Sequence, residues 1–313
     1  MATQKSQPQK CLTYPVGACL HNNNIRYTRS LGVGGHRVST FLKERGICVF
    51  DLETTGVDTQ QDRIVQVGIV HNVDGSKSMP AYETLVNPGM PIPEGAAKVH
   101  GITDDMVEDA RALPEVADEI LEYLSGKNAE DDKLPIVCGY NAVGYDAPLL
   151  NAELARHGRE ERLNLWAILD PMIFVNWHHR GFRSRKLEQV ASHYGYELLN
   201  AHSAIADVKA TVAIVRGMVN KGLIPAKIED ALRLQSTFKR FIDSEFQAFS
   251  FCLYRDRKEG FLRMGFGKNC GKALHNVSVS DLDYLANNMK RLPPKVIELF
   301  GKVDGRGEPV MAA

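Results

Sequence analysis

Apolar positions fall into two periodicities along this chain, and their order predicts the architecture. Ile47-Cys48-Val49-Phe50 is a continuous apolar run that ends in Asp51-Leu52-Glu53-Thr54; Arg63 to Val70 is a second run, and Tyr82 to Val86 a third beyond a turn at Asp74-Gly75. Short runs rich in β-branched residues and bounded by turn residues predict a three-strand meander, and Leu134 to Gly139 predicts a fourth strand. Helical spacing appears elsewhere. Val116, Ile120, Leu121 and Leu124 form one stripe between Pro114 and Gly126, Leu149, Leu150 and Leu154 follow Pro148 and stop at His157-Gly158, and Leu187 to Tyr194 is helical. Val208, Val212, Val215 and Val219 line one face of a helix over 203–219. Residues 88–101, broken by Pro and Gly, predict an irregular connection. Strands first and strand–helix alternation afterwards predict an α/β fold, a mixed sheet flanked by helices rather than a purely parallel one.

A different texture brackets this core. The first 44 residues are polar and carry Lys5, Lys10, Arg26, Arg29, Arg37 and Lys43 against a lone Glu44, a basic arm that either touches nucleic acid or is merely solvated. Leu223-Ile224-Pro225 reads as a joint, and Ile228 to Phe246 as a helix rich in Lys and Arg. The expected organisation is a flexible arm at 1–44, a catalytic domain at 45–222, a helical linker at 223–244, a small C-terminal α+β module at 245–302 and a tail at 303–313. Lys plus Arg equal Asp plus Glu at 38 each, so nucleic-acid contact must come from local patches rather than from net charge. No apolar run is long enough to cross a membrane, and the polar start lacks the core of a signal peptide; the expected location is the cytoplasm. The six cysteines are scattered without a Cys-x-x-Cys pair and read as reduced thiols, the spacing of Cys11, Cys19 and His21 being irregular for zinc.

Candidate chemistry begins where the first strand ends. Side chains alternate along a strand, so Asp51 and Glu53 share one face while Phe50 and Leu52 share the other. Two carboxylates in one small volume repel unless a cation lies between them, and hard divalent ions, Mg2+ or Mn2+, prefer such oxygen ligands. An acidic strand end facing water would show the same pattern. Asp146 stands at a helix start, where a capping role is the plain alternative. His202 and Asp207 are five residues apart and would diverge by about 140° on one helix, so His202 must precede the helix to share a site with Asp207.

Together, Phe50-Asp51-Leu52-Glu53-Thr54-Thr55-Gly56, Asn141 to Asp146, and His202-Ser203-Ala204-Ile205-Ala206-Asp207 resemble the three motifs of the DEDDh exonucleases, in family order, over about residues 46–220. That family includes the proofreading subunit of bacterial replicative polymerase, ribonuclease T and exodeoxyribonuclease X. Leu85-Val86-Asn87-Pro88, Ile92-Pro93 and Val99-His100-Gly101-Ile102-Thr103 look like its connecting segment. The five-residue spacing of Asn141 and Asp146, with Tyr140 before them, departs from many members and resembles the variant in exodeoxyribonuclease I.

The resemblance implies a ribonuclease H-like, mixed five-stranded sheet and a metal-dependent 3′-to-5′ exonuclease that releases nucleoside 5′-monophosphates. Two ions, Mg2+ or Mn2+, are implied, with Asp51 bridging both, Glu53 and Asp207 completing the coordination of the first metal, and Asp146 reaching a metal directly or through water. His202 is implied as general base, its ordinary pKa suiting neutral pH. The backbone at Leu52, Thr54, Thr55 and Gly56 is implied to hold the terminal sugar and base, and His100 and Asn141 join these as expected substrate contacts. Arg183 and Lys186 are added from Trp177 to Lys186, whose cations and aromatics suit a single strand.

Phe266 to Leu274, followed by Asp283-Tyr284-Leu285, is similar to a small C-terminal module of exodeoxyribonuclease X-like proteins. Lys268 and Lys272 would approach a phosphate there, or the glycines merely form a turn. The expected substrate is single-stranded DNA or a frayed 3′ end, with DNA favoured, RNA the nearest rival, and a polymerase or repair protein as partner. A non-catalytic nucleic-acid-binding module is the reading from another class, and it leaves the full set of acidic residues without a purpose.

Overall fold

The computed structural model describes residues 46–71, 81–125, 136–182, 184–198, 203–250, 252–256, 259, 261–289 and 292–301. The basic arm, Arg183, His202 and the 303–313 tail therefore lie outside the described residues. Strands β1 (Ile47–Thr54), β2 (Ile64–Val70), β3 (Ala81–Leu85) and β4 (Ile136–Cys138) form one sheet in the order β3-β2-β1-β4. β1 runs antiparallel to β2 and parallel to β4, so the sheet is mixed as expected.

Among the described residues four strands stand in this sheet where five were expected. The fifth is reduced to a single parallel bridge between Cys138 and Leu169, held by Leu169 N–H to the Val137 carbonyl at 2.9 Å and Gly139 N–H to the Leu169 carbonyl at 3.2 Å. A 3₁₀ turn over Leu165–Ala167 comes immediately before, and Pro171 opens a helix immediately after. Too little extended chain remains between them for a ladder, and the proline ring removes the next donor.

The connection read as irregular, residues 88–101, contains α1 (Glu94–His100), and α2 (Asp104–Val107) follows it. Pro93 precedes α1 and Gly101, at φ 75°, ends it by donating its N–H to the Ala97 carbonyl. Proline before and left-handed glycine after are the usual helix boundaries. Ile92, Ile102 and Val107 bury a small cluster against Val65 of β2. The stripes of α3 (Leu113–Ser125) and α4 (Asp146–Arg156) form the main core with the even-numbered face of β1, Cys48, Phe50 and Leu52. Further on lie α5 (Pro171–His178), α6 (Leu187–His193) and α7 (Ala204–Asn220), the last packed across β1 and β2.

The chain divides into two compact units, and the division is not sequential: Met172–Lys186 groups with residues from Leu234 onward, although it lies within the 45–222 span. The long helix α8 (Ile228–Phe249) contains the other boundary. The second unit contains the hairpin β5 (Leu253–Arg255) and β6 (Leu262–Met264), then α9 (Val279–Asn288) and α10 (Pro294–Gly301). Leu253, Leu262, Met264, Leu282 and Val296 lie in its own core. Its basic-aromatic stretch is engaged internally: Trp177 stacks on Phe238 at 3.9 Å, and Arg180 lies over the Trp177 ring while pairing with Glu245. Trp177 and Arg180, two of the residues whose composition suits a single strand, are thus engaged within the unit. Among the described residues no helix is long and apolar enough to cross a membrane.

Candidate active site

Alternation along β1 sends Asp51 and Glu53 to the face opposite the main core, and α7 covers that face. Gly68 of β2 lies directly opposite Asp51 in the ladder. A Cβ at Gly68 would stand 2.7 Å from the Ala204 carbonyl carbon and 2.9 Å from the Ile205 nitrogen, so the start of α7 rests on bare backbone there. Next to it Gln66, opposite Glu53, accepts the Ala204 N–H through Oε1 at 3.3 Å and donates to Glu83 through Nε2. This seat fixes the first turn of α7 and with it Asp207.

The result is a carboxylate cluster: one oxygen each of Asp51, Glu53 and Asp207 lie within 4.8 Å of one another. Glu53 and Asp207 are 8% and 9% exposed. Burial, then the charges of Asp146, Asp207 and Glu53, hold the Asp51 carboxyl well above its ordinary range. Burial and the neighbouring Asp207 and Asp146 push Glu53 up to about 8. A buried set of hard oxygen donors that resists carrying its own charge fits a divalent cation, which neutralises all three at once.

Asp146, in the first turn of α4, lies outside that three-way cluster. Its Oδ1 accepts the Leu52 N–H at 3.2 Å, tying α4 to the middle of β1. Burial raises it to about 7, opposed by the backbone N–H groups it accepts and reinforced by Asp170 and Asp207. The loop before it is held by Asp170, whose two carboxylate oxygens accept the N–H groups of Asn141 (3.0 Å) and Val143 (3.2 Å). Asn141 is exposed and takes a left-handed φ of 66°, a conformation its short polar side chain tolerates.

The expected strand-end contacts divide by side chain and backbone. Leu52 is buried in the main core, so only its backbone faces the carboxylates. Thr55 Oγ1 donates to Asp62 Oδ1 at 2.9 Å and accepts the Arg63 N–H at 3.0 Å. The hydroxyls of Thr54 and Tyr145 both reach the Gly56 carbonyl and each other, clasping this loop to the start of α4. A Cβ on Gly56 would meet Asp62 Oδ2 at 2.6 Å, and Asp62 is itself held by Thr55 and by the Asp58 N–H. His100 accepts the Ile102 N–H through Nδ1 at 3.1 Å, closing the turn after α1. Lys186 is exposed at the end of the Met172–Lys186 segment. His202 directly precedes Ser203, the N-cap residue of α7.

Sequence reading missed Gln66, Gly68, Tyr145 and Asp170. Asp170 carried a usable signal, a carboxylate closing the apolar pair Ile168-Leu169 just as Asp51 closes the first run. Nothing local marks Gln66 or Gly68, whose role is defined by a helix more than a hundred residues away.

A chain with a largely buried carboxylate triad on an interior strand of a mixed sheet and the helix that covers it matches the family described as Exonuclease (RNase_T) over residues 48–215, and it belongs to that family. It is 30% identical over 173 residues to the DNA polymerase III PolC-type of Caldanaerobacter subterraneus subsp. tengcongensis, covering 55% of this chain and 11% of that protein. To the PolC-type polymerase of Clostridium perfringens it is 26% identical over 249 residues, covering 80% of this chain and 16% of that protein. The chain thus spans a small fraction of these relatives. Among solved structures it is similar to E. coli exonuclease I in complex with a dT13 oligonucleotide (TM-score 0.46, 19% identity, 55% of this chain and 40% of that one). It is also similar to the nuclease domain of 3′hExo bound to rAMP (TM-score 0.47, 18% identity, 56% of this chain and 92% of that one).

Proposed function

We propose that this exonuclease is a divalent-metal-dependent 3′-to-5′ enzyme that hydrolyses the terminal phosphodiester of a single strand or frayed end and releases nucleoside 5′-monophosphates. The observation that carries the reading is the convergence of Asp51, Glu53 and Asp207 oxygens within 4.8 Å, in a chain of an exonuclease family. Asp51, Glu53 and Asp207 would hold Mg2+ or Mn2+, with Asp146 placed to complete the site. Two such ions, when bound, lower the pKa of a water and stabilise the leaving oxygen. His202, next to the α7 N-cap, takes the proton from the attacking water. The backbone of Leu52 to Gly56 orients the terminal nucleotide, and the clasp by Thr54 and Tyr145 keeps that backbone in place. The relatives are DNA polymerases by name, which favours DNA over RNA.

Digestion of 5′-labelled and 3′-labelled single-stranded DNA, duplex DNA and RNA, with Mg2+, Mn2+ or EDTA, tests this. The 5′-labelled strand should shorten progressively, the 3′ label should appear at once as a mononucleotide, and EDTA should stop both. Early release of the 5′ label, or cleavage in EDTA, would sink the proposal. Faster trimming of RNA than DNA would favour the exoribonuclease reading. In the same assay His202→Ala should lose about a hundredfold in kcat with its pH profile altered, the size expected for a lost general base. Tyr145→Phe should raise KM about fivefold with kcat nearly unchanged, since it removes roughly one hydrogen bond from the loop that holds the strand end; an unchanged KM would show that the clasp is not used.

A further inference from the structure

The second unit contains a cleft that the chemistry above does not use. It encloses about 530 Å³ and is walled by Met264 at the end of β6, Phe266, Lys268 and Asn269 in the following turn, and Tyr284 and Leu285 on α9. That volume lies within the range of small-ligand sites. Its floor is apolar: Met264 belongs to the core of the unit, and Phe266 and Leu285 pack against that core while remaining partly exposed. At the mouth Tyr284 is 65% exposed, although its neighbour Leu282 on the same helix is fully engaged in the core. The fold gains little from a large aromatic in that place.

Lys268, one of the two lysines that the sequence reading brought to a phosphate or left on a plain turn, pairs with Asp281 Oδ1 at 2.6 Å and stays exposed. Asn269 donates to the other Asp281 oxygen at 3.1 Å, so Asp281 stiffens this wall of the cleft. Lys272, on the same turn, is exposed.

Charge is unequally shared between the two units. Residues 172–186 and 234–301 carry fifteen Lys and Arg against seven Asp and Glu, whereas residues 46–171 and 187–233 carry fourteen against twenty-eight. Over these spans a polyanion is favoured by the second unit relative to the first, to which residues 1–45 add seven Lys and Arg against one Glu.

We infer that this cleft takes an unpaired nucleobase of a single strand, stacked against Tyr284 and Phe266, while the surplus cations of the unit hold the adjoining phosphates. Aromatic walls accept any base through its face, so the site binds without regard to sequence. The inference rests on the nucleic-acid substrate proposed above.

Fluorescence anisotropy of a labelled oligothymidylate with the full-length chain in EDTA isolates binding from cleavage. Tyr284→Ala should weaken binding about tenfold, the effect of losing one stacked base, and Tyr284→Trp should retain wild-type affinity. An oligonucleotide lacking its bases should bind the wild type weakly and should not discriminate between wild type and Tyr284→Ala. Hydrolysis of the p-nitrophenyl ester of thymidine 5′-monophosphate with Mg2+, which reports on the carboxylate site alone, should be the same in both proteins. Equal affinity of Tyr284→Ala and wild type for the intact strand overturns the inference, as does an equal loss on the base-free strand, which would place Tyr284 against the sugar-phosphate backbone instead of a base. Failure of the wild type to hydrolyse the ester and to shorten a labelled strand counts against the catalytic proposal alone, since the binding arms contain no metal.

Discussion

Asp51→Asn should abolish exonuclease activity, by at least about a thousandfold, while making the metal-free protein more stable. The catalytic loss follows from removing the ligand central to the cluster, which forfeits several kcal/mol of charge stabilisation in the transition state. Asp207→Asn should behave alike. The stability gain follows from the raised carboxyls. An unfolded Asp or Glu titrates near pH 4, whereas folding holds Glu53 to about 8, Asp146 to about 7 and Asp51 well above its ordinary value. The folded state thus binds these protons more tightly than the unfolded state does. Their contribution is favourable below about pH 4 and is lost as pH rises through the raised values of Asp146 and Glu53, about 7 and about 8. Asp51→Asn removes a buried carboxyl whose ionisation the fold opposes beside Asp146, Asp207 and Glu53, so in EDTA its melting temperature should exceed that of wild type by about 3 °C or more at pH 8. The difference should shrink as pH falls toward 4. Adding Mg2+ should raise the wild type far more than the variant, because the ion binds only the folded cluster. Wild-type cleavage by Asp51→Asn, or a lower melting temperature than wild type at pH 8 in EDTA, would refute the assignment.

Gly68→Val should cost nearly as much activity as losing Asp207 itself. A Cβ at Gly68 is 2.7 Å from the backbone of Ala204, and valine adds two methyls to that overlap. Neither neighbour can swing aside, because one is the helix backbone and the other the β2 ladder. The start of α7 must lift, breaking the Gln66 to Ala204 hydrogen bond and carrying Asp207 away from Asp51 and Glu53. Displacement of about 1 Å in a catalytic constellation reduces rate by about a hundredfold, and larger movement removes the ligand outright. Stability should fall by about 2 kcal/mol, as for other overpacked sites. Gly68→Ala should fall between the two. The check is paired: cleavage rate together with Mg2+ affinity by calorimetry, with both expected to fall. A variant that binds Mg2+ and cleaves like wild type would show that α7 needs no such seat.

Much of this arrangement was legible before any tertiary contact was known. Alternation alone put Asp51 and Glu53 on one face of β1 and Phe50 and Leu52 in the core, and the stripes of α3, α4 and α7 appear where the 3.6-residue spacing placed them. These are short-range properties, decided by backbone sterics and by which side of one element can be removed from water. The short helix α1 of the connection was written there too, in Pro93 and Gly101, and the density of Pro and Gly concealed it.

What the chain could not announce locally depends on segments distant in sequence. The sheet stops at four strands because a 3₁₀ turn and Pro171 leave Ile168-Leu169 only enough length for a bridge. Asp170 became the clamp of the Asn141 loop, and Trp177 a packing residue, only once their partners were brought beside them. By itself the sequence determined most of the elements, the acidic motifs and the family. The tertiary structure decided that Gln66 and Gly68 seat the helix that carries Asp207, because a site built across a sheet depends on how closely two backbones approach, and that distance belongs to no single stretch of chain.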